Sequence, residues 1–227
     1  MGERVFNDAE LREMGKRSLD KVVEAIDAGD SEAAKKLAQR MYNEFVSMHD
    51  LYRDWLTATL SEVGRRYGDE ALESVMTDGM DAWWTPLAKK INEGPDDFAR
   101  KVKMFVAGLR GHLQPMDITE DDEKVEIRMK PCGSGGRQIA AGKYEGEKAF
   151  LKVAKPQRMT YGRPDIPVYC THEIAMERLD ALRDGHPFAI TEPAAELGKD
   201  YCVIKVYKNP KDIPARYYER LGLKKPA

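Results

Sequence analysis

Between Leu11 and Leu109 the apolar residues recur every three or four positions, whereas from Val125 they fall at alternate positions in short runs. The first spacing is that of one face of an α-helix and the second that of a half-buried strand. Leu11, Met14, Leu19, Val22, Val23 and Ile26 make a first helical face, with Asn7 or Asp8 able to cap it and Gly29 to end it. Asp30-Ser31-Glu32 restarts a helix with an acidic first turn, which suits the positive end of the helix dipole. From Ala33 to Tyr67 the pattern stays helical, carrying Leu37, Met41, Phe45, Met48, Leu51, Tyr52, Trp55, Leu56, Leu60 and Val63. Such a run would be about 50 Å long if straight, so a break inside it is expected. Shorter helical pieces are expected around Glu70–Met76 and Met80–Ile91. Pro95 is placed for the first turn of another helix, carrying Phe98, Val102, Phe105, Val106 and Leu109.

The texture changes at Gln114-Pro115. Thr119-Glu120-Asp121-Asp122-Glu123 reads as a polar connection, and Val125, Ile127 and Met129 then alternate with Glu126, Arg128 and Lys130 as a strand. A glycine-rich loop, Pro131-Cys132-Gly133-Ser134-Gly135-Gly136, follows with no helix-forming run expected after it, and Gly142–Gly146 reads as a turn. Val168-Tyr169 is expected as a short strand entering a helix from Thr171 to about Leu182, and Tyr201–Tyr207 as a late strand. The fold class this predicts is α+β, a helical N-terminal half packed on a smaller C-terminal half with a short mixed or antiparallel sheet. The expected division is a helical region over 1–114 and an α+β region over 115–227.

Composition adds limits. The chain has 227 residues, 42% hydrophobic and 33% charged, with a formal net charge of −2. Those values are ordinary for a globular protein, and the charge argues against a general nucleic-acid binder. No apolar core of a signal peptide follows the first residues, and no apolar run has the roughly 18 residues a membrane span needs. Three cysteines, an odd count at low density, favour reduced thiols and a cytoplasmic setting.

Each of those cysteines falls at or beside the end of an expected strand. Cys132 opens the glycine-rich loop, Cys170 begins Cys170-Thr171-His172, and Cys202 begins the late strand. Three chemistries stay open. Cys132, Cys170, Cys202 and His172 could form a Cys₃His metal site, zinc before iron, although no CxxC pair is present. Alternatively Cys170 is a nucleophile at a helix N-terminus, where the dipole lowers a thiol pKa, with His172 as base, Cys132 alongside, and Gly135 and Gly136 cradling an oxyanion. In the third reading all three are small buried hydrophobes. Arg137 could clamp a substrate carboxylate. The loop lacks the Gly-Lys-Ser/Thr ending of a phosphate loop. In the helical half, Glu44 and His49 are spaced by five rather than the three of a di-iron motif. His49 and Tyr52 could still line a pocket. Trp83 and Trp84 read as core, and His112 and His186 receive no role.

Pro131-Cys132, Tyr169-Cys170 with Glu173, and Asp200-Tyr201-Cys202 are laid out in a way that resembles the L-2-amino-thiazoline-4-carboxylic acid hydrolase-like family. The resemblance covers about a third of the chain. It implies hydrolytic opening of a small cyclic C–N or C–S compound, with Cys132, Cys170 and Cys202 as site residues. The leading expectation is therefore a hydrolase of small molecules using a thiolate or a thiolate-bound metal. The alternative is a non-catalytic ligand-binding sensor or interaction module stapled by a structural Cys₃His zinc site. The expected partner is a small-molecule substrate, with no nucleic acid, no membrane and homo-oligomerisation left open.

Overall fold

A computed structural model describes residues 5–95, 97–129 and 131–226. The chain divides into two compact units, one ending at Tyr52 and one beginning at Arg53. Lys130, the last residue of the expected alternation, lies outside the described residues.

The first unit is helical. α1 (Asp8–Gly15) is capped by Asn7, whose side chain accepts from the Ala9 and Glu10 amides while the Glu10 carboxylate accepts from the Asn7 amide at 2.8 Å. That reciprocal pair satisfies donors that the first turn leaves orphaned. α2 (Ser18–Asp27) follows as a separate helix, so the apolar face read as one helix is split at Lys16-Arg17. The third helix, α3 (Ser31–Asn92), begins where expected, its Ala33 amide bonded to the Asp30 carboxylate at 2.9 Å.

Most of α3 belongs to the second unit, and the break expected before Tyr67 is absent. The chain instead leaves helical geometry only at Gly68, with φ 83° and ψ −179°. A side chain at such a φ is strained, so glycine is the residue that can turn the axis there. Beyond it, the two short helices expected around 70–76 and 80–91 are one stretch of α3. Its buried side chains, Leu72, Met76, Met80, Trp84, Ala88 and Ile91, recur at helical spacing. α4 (Phe98–Leu109) is capped by Asp97, leaving Pro95 outside the helix, and buries Phe105, Val106 and Leu109.

β1 (Met116–Glu120), β2 (Lys124–Met129), β5 (Ile190–Glu192) and β6 (Cys202–Tyr207) form an antiparallel sheet of order β1-β2-β6-β5, as the α+β reading requires. Val125 faces Val206, Ile127 faces Ile204, and Met129 faces Cys202 across β2 and β6. These alternate residues share one face, and the buried Trp84, Ala88, Phe105, Val106 and Leu109 of α3 and α4 cover it. α6 (His172–Asp184) is tied to α3 by Trp84 Nε1, which donates to the buried Asp180 carboxylate at 2.8 Å. A second pair of strands, β3 (Lys152–Val153) and β4 (Ile166–Pro167), and a last short helix, α7 (Ala215–Arg220), complete the unit. The strand expected at Val168-Tyr169 is a 3₁₀ turn over Val168–Thr171. Pro167 ends the pairing there and the turn leads straight into α6. Among the described residues no helix is long and apolar enough to cross a membrane.

Candidate functional site

The sheet ends place the cysteines. β2 stops at Met129, and the following loop runs into α5 (Gly135–Ala140), a helix where none was expected. Its position is set by a buried polar network within the second unit. Arg53 donates to the Ser134 carbonyl at 3.3 Å, and Gln138 Nε2 donates to Thr57 at 2.8 Å and to Asp54 at 3.0 Å. Tyr144 in turn donates to Gln138 Oε1 at 3.0 Å. With its partners present, a buried amide of this kind fixes one conformation of the loop.

The result is a cavity of about 40 Å³ lined by Cys132, Gly135, Gly136, Cys170, His172 and Cys202, together with Tyr161, Tyr169, Glu173, Thr191 and Asp200 among others. The structure therefore brings six of the residues singled out in the sequence onto one surface. The glycines have a packing reason: a Cβ on Gly135 would lie 2.8 Å from Cys170 Sγ, and one on Gly136 would lie 3.1 Å from Pro131 Cβ. Arg137 does not line this cavity, so the carboxylate clamp expected of it is not formed there. His49 and Tyr52 belong to the first unit and are not on the lining either.

Electrostatics reverse the chemistry expected of two side chains. Burial, then the neighbouring Cys132, Cys202 and Glu173, push the Cys170 thiol well above its usual pKa, and burial pushes Cys202 up to about 11. The dipole argument for a reactive Cys170 thiolate therefore loses to desolvation. We expect Cys170 and Cys202 to react with iodoacetamide at least tenfold more slowly at pH 8 in the folded chain than in urea. Mass-spectrometric counting of labelled thiols against time checks this, and equal rates in both states would refute it.

His172 is occupied at both ring nitrogens. Nδ1 lies 2.5 Å from the Tyr169 carbonyl, which can only accept, and Nε2 lies 3.1 Å from the Glu173 carboxylate. Burial opposes the imidazolium, but Glu173 outweighs it and the His172 pKa is raised. An imidazole donating on both sides has no lone pair for a proton or a metal. Glu173 is held low by the same pair and also accepts from the Thr191 hydroxyl at 3.3 Å. Among the described residues no group of three or more His, Cys, Asp or Glu is disposed to hold a metal ion. The Cys₃His site of Cys132, Cys170, Cys202 and His172, with its zinc or iron, is corrected accordingly. His112 was passed over in the sequence, yet its buried Nδ1 has no hydrogen-bond partner among the described residues and its ring feels the charges of Glu173 and His172. No spacing links it to them, because 60 residues of fold intervene.

The first unit shows the opposite surface chemistry. On α2 the side chains of Leu19, Val23 and Ile26 are exposed, and on the α3 segment up to Tyr52 so are Tyr42, Phe45, Met48, Leu51 and Tyr52. Spacings of three and four place Phe45, Met48 and Tyr52 along one stripe. Beside it, His49 Nδ1 lies 2.9 Å from the Asp50 carboxylate.

A comparison with protein-family models finds a B12 binding domain over residues 18–81. No curated protein and no solved structure matches the chain. The match lies in the helical part and gives no support to the hydrolase-like resemblance, which is corrected together with the hydrolase activity it implied. It points to ligand binding by the helical segment. Zinc finds no support in the match.

Proposed function

We propose that the protein is a cobalamin-binding module whose helical segment covers the corrinoid. The observation that carries this reading is the match of residues 18–81 to a B12 binding domain. The residues present suit the group. A corrin is a broad ring with apolar faces, and a helix surface that receives it must leave apolar side chains uncovered in its absence. Leu19, Val23 and Ile26 on α2, and Tyr42, Phe45, Met48 and Leu51 on α3, do so. Within residues 18–81 His49 is the only imidazole and there is no cysteine, so His49 is the nitrogen this segment can offer near a cobalt. Its Nδ1 contact with Asp50 is the carboxylate–imidazole arrangement that orients metal-binding histidines. Bound cobalamin supplies cobalt–carbon chemistry; the protein residues supply cover, orientation and exclusion of water.

Titration of the full chain with aquocobalamin, followed by visible absorbance and by gel filtration, tests the reading. Saturable binding near one equivalent is expected, weakened about tenfold or more in Phe45→Ser and Leu51→Ser, since burying one large apolar side chain is worth about 1.5–3 kcal/mol. Absence of saturable binding, or unchanged affinity in both variants, would overturn it.

A further inference from the structure

The cavity of the second unit has a lining whose charge is unusual for a mostly apolar pocket. Among the described residues it holds two carboxylates, Glu173 and Asp200, one imidazolium, His172, and no lysine or arginine. His172 is matched by Glu173 at 3.1 Å, so the second negative charge is that of Asp200, whose Oδ2 accepts the Glu196 amide at 3.2 Å and whose side chain reaches solvent. Outside the lining, Arg163 is turned to the carbonyls of Pro193, Ala194 and Ala195 at 3.3, 2.7 and 2.9 Å. Arg220 lies over the Tyr161 ring at 5.3 Å and is held by Glu177. Lys199 is engaged with Glu196. The remaining wall is soft and apolar: the sulfurs of Cys132, Cys170 and Cys202, the Tyr169 ring, and side chains such as Met129 and Ile166.

An anion entering this space would be stripped of water with no cation among the described lining residues but His172, already paired with Glu173, which is costly. A cation meets a carboxylate excess, polarisable sulfurs and an aromatic ring, each of which favours positive charge. The volume of about 40 Å³ is room for about three ordered waters, which limits a ligand to a few heavy atoms. From this lining we infer that the cavity binds a small organic ammonium ion, its positive nitrogen between Glu173 and Asp200 and its alkyl groups against the thiols and Tyr169. The site is separate from the helical segment assigned to cobalamin, and its test requires no corrinoid.

Isothermal titration of the full chain with trimethylammonium chloride and methylammonium chloride is the direct experiment, with acetate and tert-butanol as anionic and neutral controls. Saturable binding of at least one ammonium at about one equivalent is expected, with acetate and tert-butanol at least tenfold weaker. Glu173→Gln should weaken the ammonium at least tenfold and Asp200→Asn several-fold. Circular dichroism reports whether each variant is folded. Should Glu173→Gln fail to fold, Asp200→Asn decides, because Asp200 is exposed and its removal breaks no buried ion pair. No saturable binding of either ammonium, equal binding of acetate or tert-butanol, or an unchanged affinity in folded Asp200→Asn would overturn the inference.

Discussion

Replacing Arg220 by methionine is expected to destabilise the second unit by about 3–5 kcal/mol, the cost of leaving one partner of a buried ion pair alone. Arg220 donates to the Glu177 carboxylate and to the Thr191 carbonyl at 3.1 Å, and its guanidinium lies over the rings of Tyr161 and Tyr217 at 5.3 and 4.9 Å. Glu177 is 3% exposed and accepts the Thr191 amide at 2.7 Å, so no water can take the place of Arg220. At about 2–4 °C per kcal/mol for a domain of this size, the fall in Tm should be about 6–20 °C. Two further readouts separate a lost ion pair from lost packing. Arg220→Met/Glu177→Leu should recover most of the loss, because both charges are then gone. The pH dependence should also change. Burial pushes the Glu177 carboxyl up to about 7 in the folded wild type, above its value of 4.5 when exposed. A raised folded pKa means that the stabilisation by the bound proton is fully present below pH 4.5 and is lost as pH rises through 7. Without Arg220 the carboxyl rises further, so Arg220→Met should be least impaired at pH 5 and most impaired at pH 8. A defect of the same size at both pH values, with no rescue in the double variant, would refute the account.

The second large effect is expected from a single methyl group. Gly133→Ala would place its Cβ 1.4 Å from the His112 carbonyl oxygen and 2.4 Å from Gln114 Oε1. The oxygen at 1.4 Å belongs to backbone and cannot swing aside, and the Gly133 amide donates to Gln114 Oε1 at 2.9 Å, so the turn must move as a body. Overpacking of this kind costs about 3 kcal/mol or slightly more. The movement would carry Cys132 and α5 with it, because Arg53 and Gln138 are bonded to the same segment. A Tm lowered by about 6–12 °C is expected, together with faster alkylation of Cys170, whose sulfur packs on Gly135. An alanine variant with wild-type Tm and thiol rates would show that the close approach is not a constraint. Gly135→Ala is the milder comparison, since its contact is a side-chain sulfur at 2.8 Å.

Periodicity revealed the architecture because burial and hydrogen bonding follow it directly. Val125, Ile127 and Met129 alternate because one face of β2 is covered by α3 and α4, and the helical spacing from Leu72 to Ile91 persists because that stretch covers the core. What periodicity missed were backbone events. It placed a break before Tyr67, whereas the chain departs from helical geometry at Gly68, and it passed over α5, whose six residues contain two glycines. A poor helix former is overridden there by the Gln138 network and by the need to clear Cys170. For the cavity, the sequence marked the three cysteines, His172 and the two glycines, since each adjoins a strand end or turn. It could not give their protonation, which depends on burial and on Glu173 and the Tyr169 carbonyl meeting one ring. The hydrolase layout failed because short cysteine-bearing motifs carry little information, while the residues 18–81 that match a B12 binding domain showed only ordinary helical periodicity. Exposure of Phe45, Met48 and Leu51 is a tertiary fact that no spacing encodes.

The match to a B12 binding domain stops at Asp81, yet α3 continues to Asn92 without interruption there. Leu72, Met76 and Met80, inside the matched segment, are packed with Val153, Val168 and Ile174, which lie far beyond it. A cut at the edge of the match would thus divide a hydrophobic core and remove the last three turns of α3, with the buried Trp84, Ala88 and Ile91. The matched segment and the rest of the second unit thus bury one another's apolar side chains, and a fragment ending at Asp81 should expose Leu72, Met76 and Met80 and bind a hydrophobic dye that the whole chain does not.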